Sequence, residues 1–319
     1  MTRYYDIQVT PKGGNTPMFA FGSHPNGQFD PGALNVEFDM PVLAYDTPAG
    51  GQTITIEGIS LDAISQAQNF AGANIIVRAG MQAGLPLANP SQAGVILSGQ
   101  IFQSYGNWQG TEMTLDFMIL PAIYTMSAPG NFVLNWTQGM QLSDALKTTL
   151  GIAYPGMPIV FNIGSNLVLD SDEHHYCATL EELAIYIGNL TESAFGGQRV
   201  SITIQSGKLV IYDKTYQPSP VQIEFTDLIG QPTWIDQQTM QVKTVMRADL
   251  QIGGMITMPK GFQNTPGFVN TWGSSLPSSN KYQSAFQNNF QVKELRHIGN
   301  FRSSDSSDWC TVFNCLATG

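Results

Sequence analysis

The strongest ligand-type residues in the chain stand together in Glu173-His174-His175-Tyr176-Cys177. Imidazole, thiolate and carboxylate are the groups that hold zinc, but a zinc site takes three or four of them converging from defined spacings. Adjacent histidines point in different directions, and no second Cys or His group stands at a useful distance, so the segment reads as a polar loop. Asp170 and Asp172 precede it without the spacing of a calcium loop. His24 and His297 are isolated. Cys177, Cys310 and Cys315 are an odd, widely spaced set and make no disulfide framework. Five residues apart on a strand, Cys310 and Cys315 fall on opposite faces, which disfavours a shared metal or bridge. There is no G-x-S-x-G elbow, Walker loop or H-E-x-x-H motif. Gly50-Gly51 and Gly253-Gly254 lack phosphate-cradle spacing and read as turn glycines. No catalytic residue, metal ligand or cofactor site is expected.

The elements that would position any site are mostly strands. Arg3–Val9 reads as a strand, and Pro11–Gly32 as a Gly/Pro/Asn-rich loop. Val36, Phe38, Met40 and Val42 alternate with Glu37 and Asp39, the pattern of a half-buried strand. Thr53–Ile59, Ile75–Val77, Val95–Ile101 and Thr111–Leu120 continue the series, with a turn at Gly106–Gly110 and a short helix capped by Ser60. The middle differs. Leu142, Ala145, Leu146 and Leu150 have helical spacing, with Gly151 placed to end the helix. Thr179 and Glu182 form a capping box ahead of Leu180, Leu183, Ala184, Ile187 and Leu190, and Gly196-Gly197 stops that helix. A hairpin follows, Val200–Ile204 and Leu209–Ile211 about a Ser206-Gly207 turn. Strands are then expected at Val221–Phe225, Gln241–Val245, Ile252–Met258, Phe290–Leu295 and Cys310–Leu316, with a long Gly/Pro/Ser/Asn-rich excursion at Gln263–Ser284.

Composition narrows the function classes. In 319 residues, 42% are hydrophobic, enough for real cores, but only 12% are charged, about half the ~25% usual in soluble chains. Gln, Asn, Ser and Thr cover the surface instead, as suits a subunit packed among partners or a secreted β-protein. A net charge of −10 argues against gripping nucleic acid, though not against a surface past which it slides. Met1 to Asp6 open no apolar signal region, and no apolar run approaches the roughly 18 residues of a membrane helix. Trp108, Trp136, Trp234, Trp272 and Trp309 are scattered and are expected as core or interface anchors.

A succession of phrases in the second half is more specific. Gly230 and Pro232 form a G-x-P turn, and Arg247 to Ile256, through Gly253, match most of an L-x-P-x-L-x-V-G-D-x-I strand ending. Val292, Leu295, His297 and Gly299 match V-x-x-L-x-H-x-G-D, and Trp309 with Thr311 a closing W-x-T. In this order the phrases resemble tailed-phage baseplate hub proteins, the family related to the hub of contractile tails and to the hub part of type VI secretion spikes. Two positions depart: Gly254 and Asn300 stand where the family carries Asp, and both suit turns. The resemblance covers residues 200–319 well and 1–125 more weakly.

The resemblance implies a mainly β chain with an α+β insert: two tail-tube-like β-barrel domains, residues 1–128 and 219–319, joined by a mixed α/β domain at 129–218. It implies a non-enzymatic virion protein at the distal end of a phage tail, made in the host cytoplasm. Its homotrimer would form a pseudo-sixfold ring joining the tail tube protein to a central spike or tail-tip protein. Other baseplate subunits would surround it, and DNA would pass through the lumen without specific binding. Gly230, Pro232, Gly253, His297, Gly299 and Trp309 carry structural roles in this reading. A surface or secreted β-rich binding module, such as a carbohydrate-binding one, and a tail-associated hydrolase are the alternatives.

Overall fold

The computed structural model describes residues 3–42, 44, 52–82, 89–120, 131–259 and 289–317. The first third contributes strands β1 (Arg3–Thr10), β2 (Phe19–Gly22), β3 (Asn35–Val42) and β4 (Gln52–Glu57), a short helix α1 (Leu61–Ser65), then β5 (Asn74–Met81), β6 (Gly94–Gln109) and β7 (Glu112–Leu120). In β3 the apolar set Val36, Phe38, Met40 and Val42 is buried and the intervening residues are half-buried. Side chains alternate across a strand, so this pattern seals one face and leaves the other open.

The middle third holds β8 (Phe132–Trp136), α2 (Leu142–Ala153), β9 (Ile159–Asn162), β10 (Glu173–Cys177), α3 (Leu180–Ala194), β11 (Ser201–Gln205) and β12 (Lys208–Tyr212). Thr179 caps α3 by accepting from the Glu182 amide, and the Glu182 carboxylate accepts from the Ala178 amide. The last third adds β13 (Val221–Gln222), β14 (Thr233–Trp234), β15 (Thr239–Val245), β16 (Met255–Thr257), β17 (Asn289–Asn300) and β18 (Trp309–Ala317).

The protein is mainly β, as expected. Strands of the first and last thirds form a single sheet in the order β14-β15-β18-β17-β3-β4-β7-β6-β5-β1-β2, with β16 also pairing β17 and β13 pairing β16. The join is the antiparallel pair β17–β3, from Leu295 opposite Val42 to Asn300 opposite Glu37. Among the described residues the path is open at β2 and β14. The middle third makes its own small sheets, β8–β10 and β9–β12–β11.

Three apolar cores follow, and two of them draw on distant stretches of chain. The first-third core includes Met246, Phe301 and Trp309 from the last third. The last-third core includes Val42, and Val210 with Tyr212 from the middle. The middle core, around Trp136, Leu146, Leu183 and Ile202, is formed by its own residues.

Several local expectations change. The Pro11–Gly32 loop contains β2, held by pairing to β1. The expected turn at Gly106 is strand: β6 runs to Gln109, and Gly106 sits against Ile64 of α1 at a spacing a Cβ would not fit. Gly151 does not end α2. The Tyr154 amide still bonds the Leu150 carbonyl at 2.8 Å, since the packed face of the helix outweighs the roughly 1 kcal/mol a glycine costs. Glu173–Cys177 is a strand rather than a loop, paired to β8. The Gln263–Ser284 excursion lies outside the described residues.

Candidate functional site

The single sheet has one face packed on the cores. The other is a polar surface assembled from residues far apart in sequence. Directly opposed positions build its rows. Asn300, Glu37, Thr55, Asp116 and Tyr105 cross five strands from β17 to β6. Beside them run Ile298, Asp39, Thr53, Met118 and Gln103. Each strand supplies such residues because its polar positions alternate with its buried ones.

The charges on this face are tied to neighbours. Arg296 makes a two-pronged contact to Asp39, with Nε donating to Oδ1 at 2.6 Å. Arg78 donates to Asp6 at 2.8 Å. Asn35 donates to Glu57 at 3.0 Å, Thr55 to Asp116 at 2.6 Å and Asn314 to Glu294 at 2.7 Å. Asn300 donates to Glu37. Partial burial, with Glu57 nearby, raises the Glu37 carboxyl above its usual range. Asp6, Glu37, Asp39, Glu57, Asp116 and Glu294 share the face with the paired Arg78 and Arg296 and with Lys243, so the surface is net acidic and its carboxylates are bonded to neighbours. Among the described residues the face holds neither a stripe of free cations nor a set of converging metal ligands. Among the described residues no group of three or more His, Cys, Asp or Glu could hold a metal ion.

At its β6–β7 end the face changes character. Phe102, Tyr105 and Met118 are exposed there, while Trp108, at 63% exposure, opposes Met113 on the other side of the extended hairpin. Its indole donates to the Gly110 carbonyl.

Beneath the face lies a buried seam between first and last thirds. Arg247, 1% exposed, donates from Nε and Nη2 to the two oxygens of Asp249, each at 2.7 Å, and from Nη1 to Asp227 at 2.9 Å. Asp227 also accepts from Gln92 of the first third at 3.1 Å and from the Glu224 amide at 3.0 Å. The Ala248 amide donates to the Gln92 carbonyl. A guanidinium buried this deeply needs such a cage, because stripping its water is expensive. Sequence pattern placed Arg247 in a strand phrase without exposing this role; a lone Arg within an apolar run was the available signal.

Trp309, Gly299 and His297, three of the positions singled out by pattern, fall on or beside this seam. Trp309 is buried in the first-third core, its ring 5.3 Å from that of Phe38, and its indole donates to the Gly80 carbonyl at 3.0 Å. Gly299 backs onto Phe38, where a Cβ has no room. His297 is buried, with Nδ1 3.0 Å from the Thr311 hydroxyl. Burial lowers its pKa to about 4, so the ring is neutral at ordinary pH. Thr311 also contacts the backbone of Arg247, which links His297 to the cage. Gly253 has φ +79° and lies so close to the Tyr212 ring that a Cβ would stand 2.6 Å from it. Gly230, φ +77°, and Pro232 are apart from the rest, in the turn that leads into β14.

The histidine pair on β10 gathers no metal set. The His175 ring stacks on Tyr186 with centroids 3.6 Å apart, Tyr186 donates to Glu173, and His174 meets Asn135. Cys177, Cys310 and Cys315 are buried and free. No helix among the described residues is long and apolar enough to cross a membrane.

By sequence, no family model and no curated protein matches the chain significantly. By structure, it is similar to the tail protein from Neisseria meningitidis MC58, with TM-score 0.50 at 11% identity, covering 100% of this chain and 98% of that one. It is also similar to a chain of the Francisella PdpA–VgrG complex in its lidded form, with TM-score 0.51 at 7% identity, covering 99% of this chain and 52% of that one. The chain therefore shares its fold with that tail protein over the whole length of both, and with about half of the chain from the PdpA–VgrG complex.

Proposed function

We propose that this chain is a structural hub of a phage tail, located in the virion baseplate. It assembles as a homotrimer whose paired β regions make a pseudo-sixfold ring, and that ring joins the tail tube protein to a central spike or tail-tip protein. The observation that carries the reading is the continuous sheet with one face sealed and the other a self-paired polar surface, in a chain with the tail-protein fold. Three chains with two similar β regions each reconcile sixfold with threefold symmetry without any chemistry. The domain division at 1–128, 129–218 and 219–319, with a tube-like β-barrel unit at either end, belongs to this proposal. So do the structural roles of Gly230, Pro232, Gly253, His297, Gly299 and Trp309.

In the assembled ring the polar face lines the lumen. Its carboxylates outnumber its cations, so a phosphate backbone finds no partner to exchange for counterions and slides without specific binding. Because side chains on the face are already bonded to each other, few donors are left to catch a passing chain.

Cryo-electron microscopy of the assembled particle tests this. The expected image is a threefold ring with β3, β4 and β17 turned towards the hole. A ring with that face outward removes the lumen assignment, and a stable monomer that binds glycans removes the hub.

A further inference from the structure

Cations are scarce in this chain, with 14 Lys and Arg against 24 Asp and Glu, yet three of them meet in one pocket between the middle third and β17. Arg199 comes from the approach to β11, Lys214 from the residues after β12, and Lys293 from β17 itself. Arg199 is fixed by Glu192 at 3.0 Å and Asn189 at 2.9 Å, and its guanidinium packs on Gly188. The Lys214 amine lies over Gly197.

Two carboxylates share the walls, and both are occupied elsewhere. Asp213 accepts from the Gly164, Thr215 and Tyr216 amides and from the Gln198 and Thr215 side chains. Glu294 accepts from Asn314. Lys214 and Lys293 make no direct ion pair among the described residues, and Lys293 acts by charge alone on the exposed Asp236. Val292 and Leu316 give the pocket an apolar side. Cationic walls beside an apolar lining suit a carboxylate carried on a short alkyl stem, an Asp or Glu side chain. A nucleic acid backbone would instead need a basic track extending beyond one pocket.

We propose that this pocket receives an acidic peptide segment through its carboxylates, and that the segment belongs to a second copy of this chain. The first clause stands on the pocket alone; the second rests on the hub reading. Charge complementarity selects the occupant: each copy has a surplus of acid and a concentrated basic recess, so copies meeting head to tail match the two.

The test pairs two measurements on the full chain and on the double variant Lys214→Glu, Lys293→Glu, both exposed positions. Calorimetric titration with hexaglutamate at low salt should show binding that the variant weakens by about tenfold or more, while inorganic phosphate competes poorly. Sedimentation across a concentration series should show self-association weakened by a similar factor. Equal hexaglutamate binding by variant and parent overturns the pocket assignment. Phosphate displacing hexaglutamate at equal concentration reduces the site to a general anion site and overturns the peptide assignment. Lost peptide binding with unchanged self-association overturns the second-copy source and leaves the hub reading standing. A parent chain that never associates, even when assembled with tail components, sinks the hub reading and the second-copy source together; the titration still decides the pocket.

Discussion

Arg247, just past the end of β15, and Arg296, on β17, make similar two-pronged contacts with aspartate, to Asp249 and Asp39, and they do opposite work. Arg247 is 1% exposed and caged by Asp227, Asp249 and the Gln92 contact to the first third. The Arg296 side chain is 55% exposed, and water competes for everything it touches. The buried pair fixes how two distant parts of the chain meet. The exposed pair mainly quiets the charge of a surface. Identical chemistry becomes architecture or finish according to how much solvent reaches it.

Breaking that contrast should give a graded series. Arg247→Met leaves Asp227 buried without its cation and should cost about 3–5 kcal/mol in urea unfolding. Adding Asp227→Asn should recover part of the loss, and a double variant no better than the single would deny that the penalty is electrostatic. Trp309→Ala empties a large site in the first-third core and should cost a comparable ~3–5 kcal/mol. If the seam ties the two thirds together, amides in β1 and β3 should lose hydrogen-exchange protection along with those of β18.

The histidine beside the cage gives a pH test. Its folded pKa of about 4 lies below the free value of 6.5, so the folded state binds fewer protons between those values. Its contribution is intact above pH ~6.5 and falls as the pH drops towards 4, by about 3 kcal/mol. The difference in urea midpoint between pH 7 and pH 4 should therefore shrink in His297→Gln; an unchanged difference would place the protonation elsewhere. Arg296→Ala, on the open face, should shift stability by less than about 1 kcal/mol. A loss as large as that of Arg247→Met would erase the distinction between seam and surface.

Much of the local structure was legible in the sequence. The alternation of Val36 to Val42 located β3, and the Thr179–Glu182 box located the start of α3, because both signals are written within a few residues. The long-range partnerships were not. Nothing near Leu295 announces that it will face Val42, and nothing near Trp309 says that its ring will fill a core begun by Tyr5 and Ile7. Local glycine rules misled at Gly106 and Gly151, where packing against α1 and along α2 prevailed over propensity. The polar rows were invisible because each strand shows only its own polar positions; register decides which of them become neighbours.

What the sequence determined alone is the β-rich class, the helical middle, the absence of a recognisable catalytic motif, and the low charge that a partner-covered surface permits. These depend on periodicity and composition, which are properties of short windows. The tertiary structure alone decided that the two ends of the chain share one sheet, that Arg247 is caged while Arg296 is free to water, and that three scarce cations converge on one pocket. Those facts depend on which segments lie side by side, and a one-dimensional pattern does not record distance in space.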